Sequence, residues 1–320
     1  MFSARCIIKP VIESTGGVSN RRVNKRCRRI VLDNTLWRHV DLTPYRLDMS
    51  KMWKVIRAHF SDVLISMKIR VEVKLHSSLS LIYIEFFSLS AGPKNKKYSM
   101  SDAMLKDLSE RCPNIKILHL CQCNTDNLDC RKLPATLTTL AVRSSVWQPR
   151  WFKLDDNKTA LLPQLKSIDV SGSARVDNFD LEDFNRWSNL EELILNECYR
   201  VGQNGLTSIS TNLTKLKNLE LAGTTISELS MHHISRHLKL LEKLNLSRTV
   251  GLSDSCLDEI SSGLTQLRYL NISGCSEITY GGIKSLLSLK NLETLVLTNI
   301  VLSETELTDV QSMFLCKVIH

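Results

Sequence analysis

One spacing recurs eight times in this chain: an apolar residue, two free positions, a second apolar residue, one free position and a third. It reads IKILHL from Ile115, LTTLAV from Leu137, LKSIDV from Leu165 and LEELIL from Leu190. It continues as LKNLEL from Leu216, LEKLNL from Leu241, LRYLNI from Leu267 and LETLVL from Leu292. The starting points lie 22, 28, 25, 26, 25, 26 and 25 residues apart. A period so even over eight units means stacked structural repeats.

Each unit's geometry follows from its spacing. The first apolar residue turns inward as the chain enters a short strand. The next two share one strand face, because strand side chains alternate. A second apolar set follows at helical spacing, as in Leu206-Ile209-Leu213, Leu257-Ile260-Leu264 and Ile283-Leu286-Leu287. One coil is thus a strand plus a helix, and a lone coil cannot hide its leucines. Stacking buries them, each burial being worth roughly 1.5–3 kcal/mol. The expected fold is α/β, a leucine-rich repeat solenoid with a curved parallel sheet on its concave face and helices on its convex face. Cys123, Cys198 and Cys275 stand nine residues into their units, where Ser145, Ser173, Thr224 and Thr249 stand in others. A small group that hydrogen-bonds a neighbouring coil's backbone fits that turn, so these thiols read as buried filler.

The formal charge of +9 resides in residues 1–60, which hold 13 Lys/Arg against 4 Asp/Glu; the remaining 260 residues are neutral. Most of the surplus is RRVNKRCRR, Arg21 to Arg29. Such a cluster suits a nuclear-import signal, a nucleic-acid contact or an organelle presequence, or it is a solvated helix face. It lacks the interleaved aromatics of a base-stacking surface, so no nucleic-acid partner is expected. No window approaches twenty uninterrupted apolar residues, and the start MFSARCIIKP lacks a secretory pattern, so neither membrane span nor export is expected. Ten cysteines without a signal point to reduced thiols in the cytoplasm or nucleus.

The unit LRYLNISGCSEITYGGIKSL resembles the cysteine-containing repeat of F-box proteins, and residues 21–43, RRVNKRCRRIVLDNTLWRHVDLT, resemble the second half of an F-box. There VNKRCRRI matches a basic helix of the type V-x-x-R-W-x-x-L, with Cys27 at the Trp position, and DNTLW matches the closing loop. LWRHVDLT, Met52-Trp53, RCPNIK, LPATLTTL, YRVGQNGL and ISRHL follow in the order expected. From about residue 21 onward the chain is similar to the F-box and leucine-rich repeat protein family. That family supplies substrate receptors for Skp–cullin–F-box (SCF) ubiquitin ligases. The resemblance implies a short α-helical partial F-box at 21–43, with Val23, Ile30, Leu36 and Trp37 against the Skp adaptor and, through it, a cullin.

Two departures accompany it. The family's leading LP-x3-LL-x2-IF-x-YL segment is missing from MFSARCIIKPVIESTGGVSN, so residues 1–20 are expected to be an atypical, disordered start. A natural short isoform, an incomplete gene model and a receptor that has lost its adaptor would each look this way. Second, the 51 residues from Leu64 to Ile115 hold LSLIYIEFFSLSAGPKNKKY, which reads as an insert near 72–100 within a repeat domain spanning 44–320. A degenerate coil starting near Leu89 or Ser90 is the other reading.

Candidate chemistry is thin. Cys112, Cys121, Cys123 and Cys130 with His119 have only one close pair, and His233 and His237, beside His232, lack a third ligand, so no metal is expected. No phosphate loop or nucleophile–base arrangement can be placed, so neither catalytic residue nor cofactor is expected, and the protein is not expected to be an enzyme. A receptor of this kind works by holding the acceptor lysine near a charged partner enzyme. Target binding is expected on the inner strand face, through Arg143, Asp169, Glu192, Asn196, Glu220, Lys243, Asn245, Tyr269 and Asn271. This mixed polar surface with an aromatic anchor suits protein rather than a phosphate backbone. The alternative function is an interaction scaffold or decoy without a ligase; an Arg-led mitochondrial repeat protein is a third reading.

Overall fold

The apolar spacing becomes parallel strands. The structure is a computed structural model that describes residues 39–41, 66–68, 88–89, 101–121, 124–126, 128–153 and 161–320. The chain divides into two units, Met1–Val146 with Thr159–Leu165, and Trp147–Lys158 with Lys166–His320. The stretch carrying Val23, Ile30, Leu36 and Trp37 lies outside the described residues.

In the first unit, β1 (His39–Asp41) pairs in parallel with β2 (Ser66–Lys68), Val40 opposite Met67. Among the described residues this is the first strand pair, and its first strand falls within residues 21–43. A second sheet joins β3 (Ser88–Leu89), β4 (Ile117–Cys121) and β5 (Thr139–Arg143), all parallel, with α1 (Asp102–Arg111) between β3 and β4 in sequence. Leu89 stands opposite Leu120, the third apolar position of its motif. By that register Leu89 is the last apolar position of a strand motif and not the first. Parallel register decides this, since a slip of one residue would turn every side chain to the wrong face. Leu105, Leu108, Ile115, Leu118, Leu120, Leu137, Leu140 and Val142 form this unit's buried core.

Among its described residues the second unit holds seven strands: β6 (Ser167–Asp169), β7 (Glu192–Ile194), β8 (Asn218–Glu220), β9 (Lys243–Asn245), β10 (Tyr269–Asn271), β11 (Thr294–Val296) and β12 (Lys317–Ile319). They pair consecutively, and Ile168, Leu193, Leu219, Leu244, Leu270, Leu295 and Val318 form one column across them. Between strands run α2 (Asn178–Phe184), α3 (Gln203–Asn212), α4 (Glu228–His237), α5 (Asp254–Gly263), α6 (Tyr280–Ser285) and α7 (Glu304–Met313). Strands sit about 4.8 Å apart while packed helices need roughly 8–10 Å, so a stack of such coils bends towards its strands.

The predicted helical leucines are buried, with one correction. Leu287 is half-buried, and Leu289 turns inward in its place. Helix α6 ends at Ser285 and gives way to a 3-10 turn, Leu286–Ser288. Three residues per turn put Leu289 directly beneath Leu286.

One feature of the turn off each strand escaped the sequence reading. The eighth residue of seven units is left-handed: Ser144, Gly172, Glu197, Gly223, Arg248, Gly274 and Asn299, with φ between 48° and 71°. Only three are glycine. The backbone N–H of this residue donates to the next coil in five of these units, as from Glu197 to Ala222 and from Arg248 to Ser273. The intercoil bond thus holds Glu197 and Arg248 in a conformation that ordinarily costs an L-residue roughly 1–2 kcal/mol.

The ninth residue follows. Cys198 and Cys275 are buried, and their thiols donate to Val170 O (3.4 Å) and Leu246 O (3.1 Å) of the preceding coil. Thr224 and Thr249 are buried too; their hydroxyls donate within their own coils, to Leu221 O and Leu246 O, and that of Thr249 also lies 3.6 Å from the Cys275 thiol. Cysteine reaches the preceding coil's carbonyl, whereas threonine reaches a carbonyl of its own turn. Cys123 lies outside the described residues.

Candidate functional site

The candidate surface is the strand face turned away from the helices. In the second unit each strand presents its first and third residues there, and the residue two places on extends the row. Row by row these are Ser167, Glu192, Asn218, Lys243, Tyr269 and Thr294; then Asp169, Ile194, Glu220, Asn245, Asn271 and Val296.

The structure distributes the sequence-predicted residues unevenly. Lys243 is exposed, while Glu192, Asn196, Glu220, Asn245, Tyr269 and Asn271 are half-buried on this face. Arg143 is exposed at the end of β5 in the first unit. Asp169 is a correction: only 4% of it is accessible. Its carboxylate folds back to accept from Ser171 N (2.9 Å) and Ser171 Oγ (2.5 Å) of its own turn. The D/N-x-S pattern repeats this use, with Asn245 accepting from Ser247 N and Asn271 from Ser273 N. Those amides cap their own backbone.

The charged members are held differently. Glu192 accepts from Asn218 Nδ2 at 2.6 Å and from the Ser167 hydroxyl. Glu220 accepts from Asn196 Nδ2 at 2.7 Å, while Asn196 Oδ1 takes the Ala222 N–H. Both carboxylates are therefore oriented by neutral donors, with no ion pair among the described residues. The Lys243 ammonium likewise has no carboxylate at ion-pair distance among them.

A row beside this face was not singled out from sequence. The second residue of the last six motifs alternates in sign, as Lys166, Glu191, Lys217, Glu242, Arg268 and Glu293. Glu191 accepts from Lys166 at 2.8 Å and from Lys217 at 3.0 Å, which holds its carboxyl down at about 2. Arg268 pairs with Glu293. Aligning the last six motifs would have exposed this alternation. Lys166, Ser167, Glu191, Glu192, Lys217, Asn218, Glu242 and Lys243 together line a depression of about 370 Å³ at the start of β6 to β9.

The thiols and imidazoles have structural settings. Burial pushes the Cys198 thiol up to about 12 and raises that of Cys275, so neither is a thiolate near neutrality. Cys112 and Cys130 are buried, and Cys121 keeps its place on β4. On α4, His232 Nδ1 lies 3.2 Å from Glu259 Oε1, and the His233 and His237 rings stack with centroids 6.0 Å apart. Among the described residues no group of three or more His, Cys, Asp or Glu is placed to hold a metal, and no helix is long and apolar enough to cross a membrane.

No family model matches the chain. Among solved structures, an internalin C2 from Listeria monocytogenes is similar at 19% identity, covering 66% of this chain and 80% of that one with a TM-score of 0.46. Among characterised proteins, human F-box/LRR-repeat protein 12 is 32% identical over 254 residues, 79% of this chain and 72% of its own length. The mouse protein of that name is 32% identical over 231 residues, covering 72% of this chain and 64% of its own length. The bovine one is 31% identical over 257 residues, covering 79% and 72%. With the repeat register, the buried leucine columns and this shared sequence, the chain belongs to the F-box/LRR-repeat protein family.

Proposed function

We propose that this chain is the non-catalytic substrate-recognition subunit of an SCF-type ubiquitin ligase, acting in the cytoplasm or nucleus. Its repeats choose the target, and the segment around Val23, Ile30, Leu36 and Trp37 contacts the Skp adaptor and through it the cullin. The observation that carries the reading is family membership joined to an ordered strand face bearing charged groups without charged partners. A subunit of this kind needs no nucleophile, because it accelerates transfer by holding target and charged enzyme together. The target is then marked for degradation.

Co-purification tests the proposal. The full chain, expressed with a Skp adaptor, is expected to elute with it in a stable complex. A folded chain that elutes alone overturns the ligase role and leaves an interaction scaffold or decoy. Replacing Trp37 with alanine is expected to weaken adaptor binding at least tenfold while the melting of the repeats stays unchanged.

A further inference from the structure

The strand face of the second unit sorts its charges by position, and the sorting specifies what can lie on it. Glu192 on β7 and Glu220 on β8 are diagonal neighbours, since Ile194 stands opposite Glu220. Diagonal positions on adjacent strands lie roughly 7–8 Å apart, so one long cationic side chain can reach both carboxylates. Both are already aimed by neutral donors, Asn218 on Glu192 and Asn196 on Glu220. Two strands along from Glu192, in the same row, stands Lys243, with Asn218 between them and Tyr269 beyond. The depression of about 370 Å³ runs along this row from Glu192 past Asn218 to Lys243. Its other lysines, Lys166 and Lys217, are both engaged by Glu191.

We infer that this face takes an extended polypeptide segment of mixed charge. The segment sets a lysine or arginine over Glu192 and Glu220, a carboxylate on Lys243, and an apolar side chain against the Tyr269 ring. Two strand spacings come to about 10 Å and an extended chain advances about 3.3 Å per residue, so the two charges lie two to four residues apart. The inference rests on the receptor function proposed above and gives its target a chemistry. A phosphate backbone is excluded, because it would press its charge against Glu192 and Glu220. A wholly basic segment, such as this chain's own Arg21 to Arg29, would oppose Lys243 with like charge. Only a segment carrying both signs meets both ends of the row.

The test is a selection from a display library of random twelve-residue peptides, with the folded full chain as bait. Enriched peptides are expected to carry a basic residue and, two to four residues away, an acidic one. Glu192→Lys combined with Glu220→Lys is expected to change the preferred charge at the first position from basic to acidic, by at least tenfold in enrichment. Lys243→Glu is expected to change the second from acidic to basic. If a charge reversal unfolds the chain, Glu192→Gln and Lys243→Gln are expected to erase the corresponding preference. Enrichment without a charge pattern, a pattern that the variants leave unchanged, or no enrichment by folded bait would each overturn the inference. Adaptor co-purification on the same preparations separates the two readings. A lost adaptor complex with the charge pattern intact defeats the ligase role alone, and the reverse result defeats the docking surface alone.

Discussion

Asp180 shows how one buried group gives the second unit a pH response. Its side chain is buried, and its oxygens accept from the Arg150 and Asp177 backbone amides at 2.8 and 3.1 Å. Burial pushes its carboxyl up from 3.8 to about 6, against the pull of those hydrogen bonds. Its folded pKa then lies above its unfolded one, so the folded state binds the extra proton between the two values. Its contribution to stability is full below pH 4 and is lost as pH rises through 6. The expected outcome is a melting temperature for this unit that rises as pH falls from 7 to 5, before general acid denaturation intervenes. The difference is at most about 3 kcal/mol. Asp180→Asn is expected to flatten that slope, as thermal melts across pH would show. Nothing in the motif spacing marks Asp180 out. Its burial comes from packing in the same unit as Trp147, Phe152, Phe184 and Trp187, an aromatic cluster that only the fold assembles.

At the scale of elements, helix α5 approaches helix α4 at Gly263. A β-carbon there would lie 2.5 Å from Ser235 O, a backbone atom that cannot turn aside. Lys239 clips the same junction by donating to Ser235 O (2.7 Å) and Gly263 O (3.0 Å), the carbonyls at the two helix ends. A cation is favourable there for the helix dipole as well as for the unpaired carbonyls. Gly263→Ala is therefore expected to force the helices apart and cost about 1–3 kcal/mol, read from urea unfolding. Elsewhere a glycine-to-alanine change in a helix is stabilising, so the sign of the effect checks the close approach. The sequence shows the helical periodicity on either side, but not that residue 263 must be bare. That follows from the distance between two helices 26 residues apart in the chain.

Across the whole molecule, repeats that touch only their neighbours make position in the stack decisive. Leu244 is fully buried at the middle of the leucine column, between Leu219 and Leu270. Leu244→Ala is expected to cost about 3–5 kcal/mol and to lower protection on both sides of β9. Val310, by contrast, is a buried residue of the terminal helix α7, whose other residues are largely open to solvent. Val310→Ala is expected to fray α7 and β12 alone. Native-state hydrogen exchange distinguishes the two patterns. Equal spreading from both sites would mean that the unit unfolds as one block and not coil by coil.

The sequence by itself determined the stacking: its even period requires strands in parallel register, and the strand leucine column is buried as that period demands. It also determined which residues share the open face, because alternation along a strand is a local property. Tertiary structure alone decided which of those residues remain available. Asp169, Asn245 and Asn271 look alike in the motif as candidates for a target, yet each is drawn back to the backbone of its own turn. Glu192 and Glu220 keep their charge uncompensated because the groups that reach them are amides and a hydroxyl. The left-handed turns at Glu197 and Arg248 were decided the same way, by a carbonyl of the next coil. Periodicity is written in single residues, whereas hydrogen-bond competition between coils exists only once they are stacked.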